Sequence, residues 1–203
     1  MKRLTRMVIG AIGVTTIPVL IFGCVGVLKT GQTTCYDITS SNVIACAGTG
    51  QDGEFQKGTA RSYTSNADGT ITDNSTGLMW EKLTNPGDGS IHDWNNTYSW
   101  AQAFVKIAAL NTVPCFANHC DWRLPNINEL ETLLDYGLVN PCIAPVFNNG
   151  VDSFTNSTTL YYWSSTPHQA DPDIVWGVNF FDGGKFPSVS SQEFYVRAVR
   201  GSS

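Results

Sequence analysis

The sequence predicts an α+β fold: two helices flanked by strands of a twisted, mostly antiparallel sheet, with long irregular loops. Three observations carry this. Short strand–turn–strand runs occupy 61–83, two stripes of helical periodicity follow between 94 and 138, and extended segments return from 161 to the end.

The 203 residues leave room for one domain of about 150 residues beside an export segment and a linker. Lys2, Arg3 and Arg6 form a basic flank, and Met7 to Gly23 is uncharged and mostly apolar. Ile21-Phe22-Gly23-Cys24 resembles a bacterial lipobox, which makes 1–23 a signal peptide and Cys24 the lipidated residue. The alternative is a signal anchor, since Met7 to Leu28 carries no charge over 22 residues. Either way the domain is expected outside the cytoplasm. The absence of Asp after Cys24 favours the outer membrane. Residues 24–47, rich in Thr, Ser and Gly, are expected to be a tether, with the domain proper at 48–201.

Removing 1–23 takes away three positive charges and no negative one, so the formal charge falls from −5 to −8. Such an acidic chain is a poor partner for nucleic acid. In an exported chain the default state of cysteine is the disulfide, and the local pairings favoured are Cys35 with Cys46 and Cys115 with Cys120. Cys142 is left odd, either free and buried or competing for Cys115 or Cys120.

Along the domain, Asn66-Ala67-Asp68-Gly69 and Asn74-Ser75-Thr76-Gly77 are turns around Thr70–Thr72, and Leu78–Trp80 is the next strand. The first helix is predicted over Trp94–Leu110, capped near Asn96, with Trp100, Phe104, Ile107 and Leu110 inward. Then comes the stretch that organises the chain, Asp121-Trp122-Arg123-Leu124-Pro125-Asn126, continuing to Glu129 and Leu130. On a strand Asp121 and Arg123 share one face, and Trp122 and Leu124 the other. Pro125 ends the strand, and Asn126 with Glu129 makes a capping box. Leu130, Leu133, Leu134 and Leu138 mark the buried side of the second helix. From Asn140 to Thr159 there is no periodicity, a long loop of the kind that often carries binding. Tyr161–Thr166 and Ile174–Phe181 are strands, and Phe194–Arg200 closes the chain.

Five of these segments, in order, carry a resemblance: Asp68-Gly-Thr-Ile-Thr-Asp-Asn, Thr76-Gly-Leu-Met-Trp, the stretch from Asp121, Tyr161-Tyr-Trp-Ser-Ser-Thr, and Val196-Arg-Ala-Val-Arg. Together they resemble the Lcl C-terminal domain family, over about 48–201. That resemblance implies a C-type lectin-like fold; together with the lipobox and the lack of a catalytic signature it leads to the expectation of an adhesin-like, non-enzymatic module that engages a glycan or a surface protein from a lipid-anchored position. Alternatives are an enzyme hydrolysing or modifying envelope polysaccharide, with Ser164 or Glu129 as its candidates, and a structural envelope lipoprotein. The sulfated-glycan ligands suggested by the family's adhesin would need a local basic patch, for which Arg123, Lys185, Arg197 and Arg200 are the candidates. No collagen-like repeat accompanies the domain here.

The site candidates are few. Asp121, Arg123 and Glu129 are expected to form an internal ion pair and helix cap, a scaffold role. Asn66, Asp68, Thr70 and Asp73 offer oxygen ligands, and Asp68 with Asp73 is the calcium candidate; no other cofactor is implied. His92, His119 and His168 are scattered, and no Gly-x-Ser-x-Gly elbow exists. Exposed aromatics are the better lead: Trp94, Tyr98, Tyr161, Tyr162 and Trp176 are the candidate ligand contacts.

Overall fold

The computed structural model describes residues 26–84, 88–147 and 161–201. Cys24, the export segment and most of the expected binding loop therefore lie outside the described residues. Among these residues no helix is long and apolar enough to cross a membrane.

The first unit is small. Strands β1 (Cys35–Tyr36) and β2 (Val43–Ile44) pair antiparallel and are closed by the Cys35–Cys46 disulfide. Helix α1 (Asp52–Phe55) packs beside them, where Gly53 lies against Thr34 and Cys35. The expected tether is not free chain where it is described. Leu28 bridges Thr59, with the Thr59 amide donating to the Val27 carbonyl and the Lys29 amide donating to Thr59, both at 2.9 Å. The Tyr136 amide donates to the Thr30 carbonyl at 2.7 Å, and Arg61 donates to the Lys29 carbonyl. Glycine permits this approach. Gly58 sits at φ +114°, and a Cβ there would stand 2.5 Å from the Val27 oxygen.

The body holds two antiparallel sheets. One runs β3 (Tyr63–Ser65), β4 (Thr70–Asp73), β5 (Met79–Glu81), β9 (Val199–Arg200). The other runs β6 (Tyr161–His168), β7 (Asp171–Asn179), β8 (Gly184–Val189). Helices α2 (Trp100–Leu110) and α3 (Ile127–Glu131) stand between them in sequence.

The C-terminal segment joins the two sheets. Phe194 exchanges backbone hydrogen bonds with Tyr98, Tyr195 is bonded between Tyr161 and Trp163, and Val199 exchanges a pair with Arg123 while β9 extends β5. Its side chains alternate in the strand manner. Val196 and Ala198 enter the core of Ala103, Ile107, Leu110, Trp122, Leu124, Trp163 and Val175. Val199, with Tyr195 at its margin, joins Ile71, Trp80, Leu130, Leu133, Leu134, Tyr162 and Phe180.

Helix boundaries differ from those predicted. α2 begins at Trp100, not Trp94, because Ser99 is the N-cap and exchanges capping-box hydrogen bonds with Gln102. Its buried face is Ala103, Lys106, Ile107 and Leu110, while Phe104 is 43% exposed. α3 is capped by Asn126 as predicted but ends at Glu131, where Thr132 turns its hydroxyl onto the Glu129 carbonyl at 2.6 Å. Leu133 and Leu134 are still fully buried, now from the loop that follows. The strand before Pro125 reduces to the single Arg123–Val199 bridge. Both favoured disulfides are present, and Cys142 is free and buried.

Candidate functional site

The residues at Asp121–Glu129 build a scaffold. Arg123 donates both guanidinium nitrogens to Glu129, at 2.7 and 2.6 Å, and Glu129 also accepts from the Asn126 amide at 2.9 Å. Burial pushes the Glu129 carboxyl up, but the Arg123 and Asn126 hydrogen bonds outweigh it and hold it below its ordinary range. Asp121 does not join this pair; it takes Arg200 at 2.7 Å. Trp122 and Leu124 face the core, at 2% and 3% exposure. The expected face alternation is therefore realised.

The expected basic patch does not form. Arg197 is 3% exposed, lies 5.1 Å from the Phe147 ring centroid, and donates to the Glu81 and Phe147 carbonyls. Arg123, Arg200 and Lys185 are each paired with an acid, the last with Glu131 at 2.9 Å. The period-2 alternation that sends Val196 and Ala198 to one core sends Arg197 toward the other.

Asp68 and Asp73 are not brought together. Asp68 caps the turn before β4 by accepting from Thr70, and Asp73, fully buried, closes the turn after it by accepting from Ser75 and Thr76. Each carboxylate satisfies its own turn from opposite ends of one strand. Ser164 is also internal: its hydroxyl donates to the Trp176 carbonyl at 2.5 Å and is fully buried.

Of the aromatic candidates, Tyr162 is corrected to core, 6% exposed against Phe180 and Tyr195. Trp94 packs on that same core. Tyr161 is half-buried in a cluster with Phe186 and Phe194, and Trp176 lies 5.6 Å from His168. Tyr98 has a different setting. It lines an open groove of about 340 Å³ with Ile91, Thr97, Gln102, Val105, Ala109 and Glu193, over Lys106.

Beneath that groove lies a charged cluster that sequence reading missed. Glu81 is fully buried. Its Oε1 accepts from Lys106 Nζ at 3.0 Å and pairs with His92 Nδ1 at 2.7 Å, while Oε2 accepts from the Ala198 amide at 3.0 Å. Lys106 also donates to the Val196 carbonyl at 3.1 Å, and its ammonium stands 5.6 Å from the Tyr98 ring centroid. Burial alone would raise the Glu81 carboxyl, but the Lys106 charge, with the His92 and Ala198 hydrogen bonds, holds it well below its usual range. Burial lowers Lys106, against the pull of Glu81. The Tyr98 hydroxyl is raised, first by burial and then by the Glu81 charge. The available signal was Lys106 standing among Ala103, Ile107 and Leu110 on the helix's apolar stripe.

A family model for the Lcl C-terminal domain matches residues 69–200. The chain belongs to that family. No curated protein matches the sequence. The Lcl C-terminal domain, as matched, spans β4 to β9 and includes the groove, the Glu81–Lys106 pair and the Arg123–Glu129 junction. The unit of β1, β2 and α1, with the strap at 27–30, precedes it.

Proposed function

We propose that this chain is an extracytoplasmic binding module of the adhesin type, C-type lectin-like in arrangement and carried on a lipid at Cys24 in the outer membrane. It would engage a glycan through the groove at Tyr98. The groove carries this reading: a half-buried aromatic ring stands beside Thr97, Gln102 and Glu193, a combination of stacking face and hydrogen-bonding groups suited to a sugar ring. Family membership and the two disulfides support an adhesin-type, exported setting. The disposition of the arginines favours a neutral glycan over a sulfated one, because Arg123 and Arg200 are paired with carboxylates and Arg197 is buried against backbone carbonyls.

The test is a glycan array with the whole chain, run with calcium and again with a chelator, beside Tyr98→Ala and Glu193→Ala. Selective, saturable binding that falls about tenfold in Tyr98→Ala supports the reading, tenfold being about 1.4 kcal/mol. Binding indifferent to Tyr98→Ala removes the groove from consideration. A blank array from folded protein turns the reading toward a protein partner in the envelope, the structural-lipoprotein alternative. Loss on chelation would revive a calcium requirement.

A further inference from the structure

The strap at 27–30 sets how far the domain stands from the proposed anchor at Cys24. Val27 is hydrogen-bonded to Thr59, and Lys29 and Thr30 are held by Thr59, Arg61 and Tyr136. Only three residue steps separate Cys24 from Val27, a reach of about 10 Å at full extension. A free tether of the expected length would have let the domain roam; a strap bound this early does not.

The unit nearest the anchor exposes apolar side chains. Val27 is 85% exposed, Ile38 94%, Val43 69%, and Ile44 and Phe55 also face solvent. From Ile38 to Ala45 there is no charged residue. The Asp37 carboxylate beside this run is folded back onto the amides and hydroxyls of Thr39 and Ser40. The strap is tied to this unit, Thr30 donating to Asp52 of α1, and an exposed apolar run whose one charge is the solvent-facing Asp37 at its edge suits a contact at the headgroup level of a bilayer.

We propose that the β1–β2 hairpin is a bilayer-contacting element, with Ile38 and Val43 entering the boundary between headgroups and acyl chains, while Ile44, on the opposite face beside Cys35, stays with the protein. The occupant of this apolar face is the lipid surface itself, and the contact fixes the orientation of the domain on it. This rests on the anchored placement proposed above, and goes beyond it by assigning a second, protein-borne contact.

The test uses the full lipidated chain in phosphatidylethanolamine/phosphatidylglycerol vesicles, with and without brominated acyl chains. Ile38→Trp and, separately, Val43→Trp place a reporter at the tip, and Val105→Trp places one in the groove. The expected result is clear extra quenching of the Ile38→Trp and Val43→Trp fluorescence by brominated lipid, over that of wild type, and none for Val105→Trp. A chain that floats with the vesicles but shows equal quenching at all three positions overturns the hairpin contact and leaves the anchor standing. A chain that does not float overturns both.

Discussion

The carboxylate of Glu81 on β5 and the ammonium of Lys106 on α2 meet at 3.0 Å with both side chains closed off from water. The pair ties the first sheet to the long helix directly under the groove. Arg197, two residues before β9, adds a hydrogen bond to the Glu81 carbonyl at 2.8 Å, so three separate elements meet there.

Removing one partner leaves the other charge buried. Lys106→Met is expected to destabilise the domain by about 3–5 kcal/mol, whereas Lys106→Met with Glu81→Leu recovers a substantial part of that loss. Chemical denaturation of the three proteins at pH 7 checks this. A double variant no better than the single would show that the Ala198 and His92 hydrogen bonds to Glu81, not the ion pair, carry the effect.

Acid should unfold the domain through its depressed carboxylates. Glu81 and Glu129 both have folded-state pKa values below the ordinary 4.5. The unfolded chain therefore binds protons near 4.5 while the folded chain does not. Their stabilisation is complete above that pH and is lost as pH falls toward the folded values. Denaturant midpoints from pH 7 to 3 are expected to drop below about pH 4.5, the reference value of a free Glu, and the drop should be shallower in Glu129→Gln. An equally steep drop in that variant would remove Glu129 from the account.

The Asn126 cap offers a local test. Its side chain accepts from the Glu129 amide at 2.9 Å. Asn126→Ala should cost about 1 kcal/mol, and Asn126→Asp should cost much less, since Asp caps as well as Asn. Thermal or denaturant midpoints compare the two.

The strap depends on Gly58. Gly58→Ala, at φ +114° and with its Cβ set against the Val27 and Leu28 backbone, is expected to release residues 27–30 without unfolding the body. Hydrogen exchange at the Lys29 and Tyr136 amides should then quicken, while the Arg123 and Val199 amides keep their protection. Unchanged exchange at Lys29 would mean that the strap accommodates the extra methyl.

What could be read in advance was local. Asn126 and Glu129 stand three apart, and a capping box needs nothing beyond that spacing and a following helix. Cys115 and Cys120 are close enough in sequence to pair across their own loop. The alternation of Asp121, Trp122, Arg123 and Leu124 needs only extended backbone. Where the reading slipped, two local signals competed, as when Ser99 with Gln102 outdid Asn96 as the cap of α2.

The strand–proline–cap junction was legible from neighbouring residues alone, and the α+β class and the family from the order of such local motifs along the chain; the two disulfides were favoured by nearness in sequence and settled by the fold. That Lys106 lies inside, that Arg197 is no surface cation, and that the strap is docked instead of free became visible with the folded chain. Each depends on partners far along the chain: Glu81 for Lys106, Phe147 for Arg197, Thr59 and Tyr136 for the strap. A buried charge or a docked backbone is stable only once its partner has been brought to it. Sequence spacing alone does not supply that encounter.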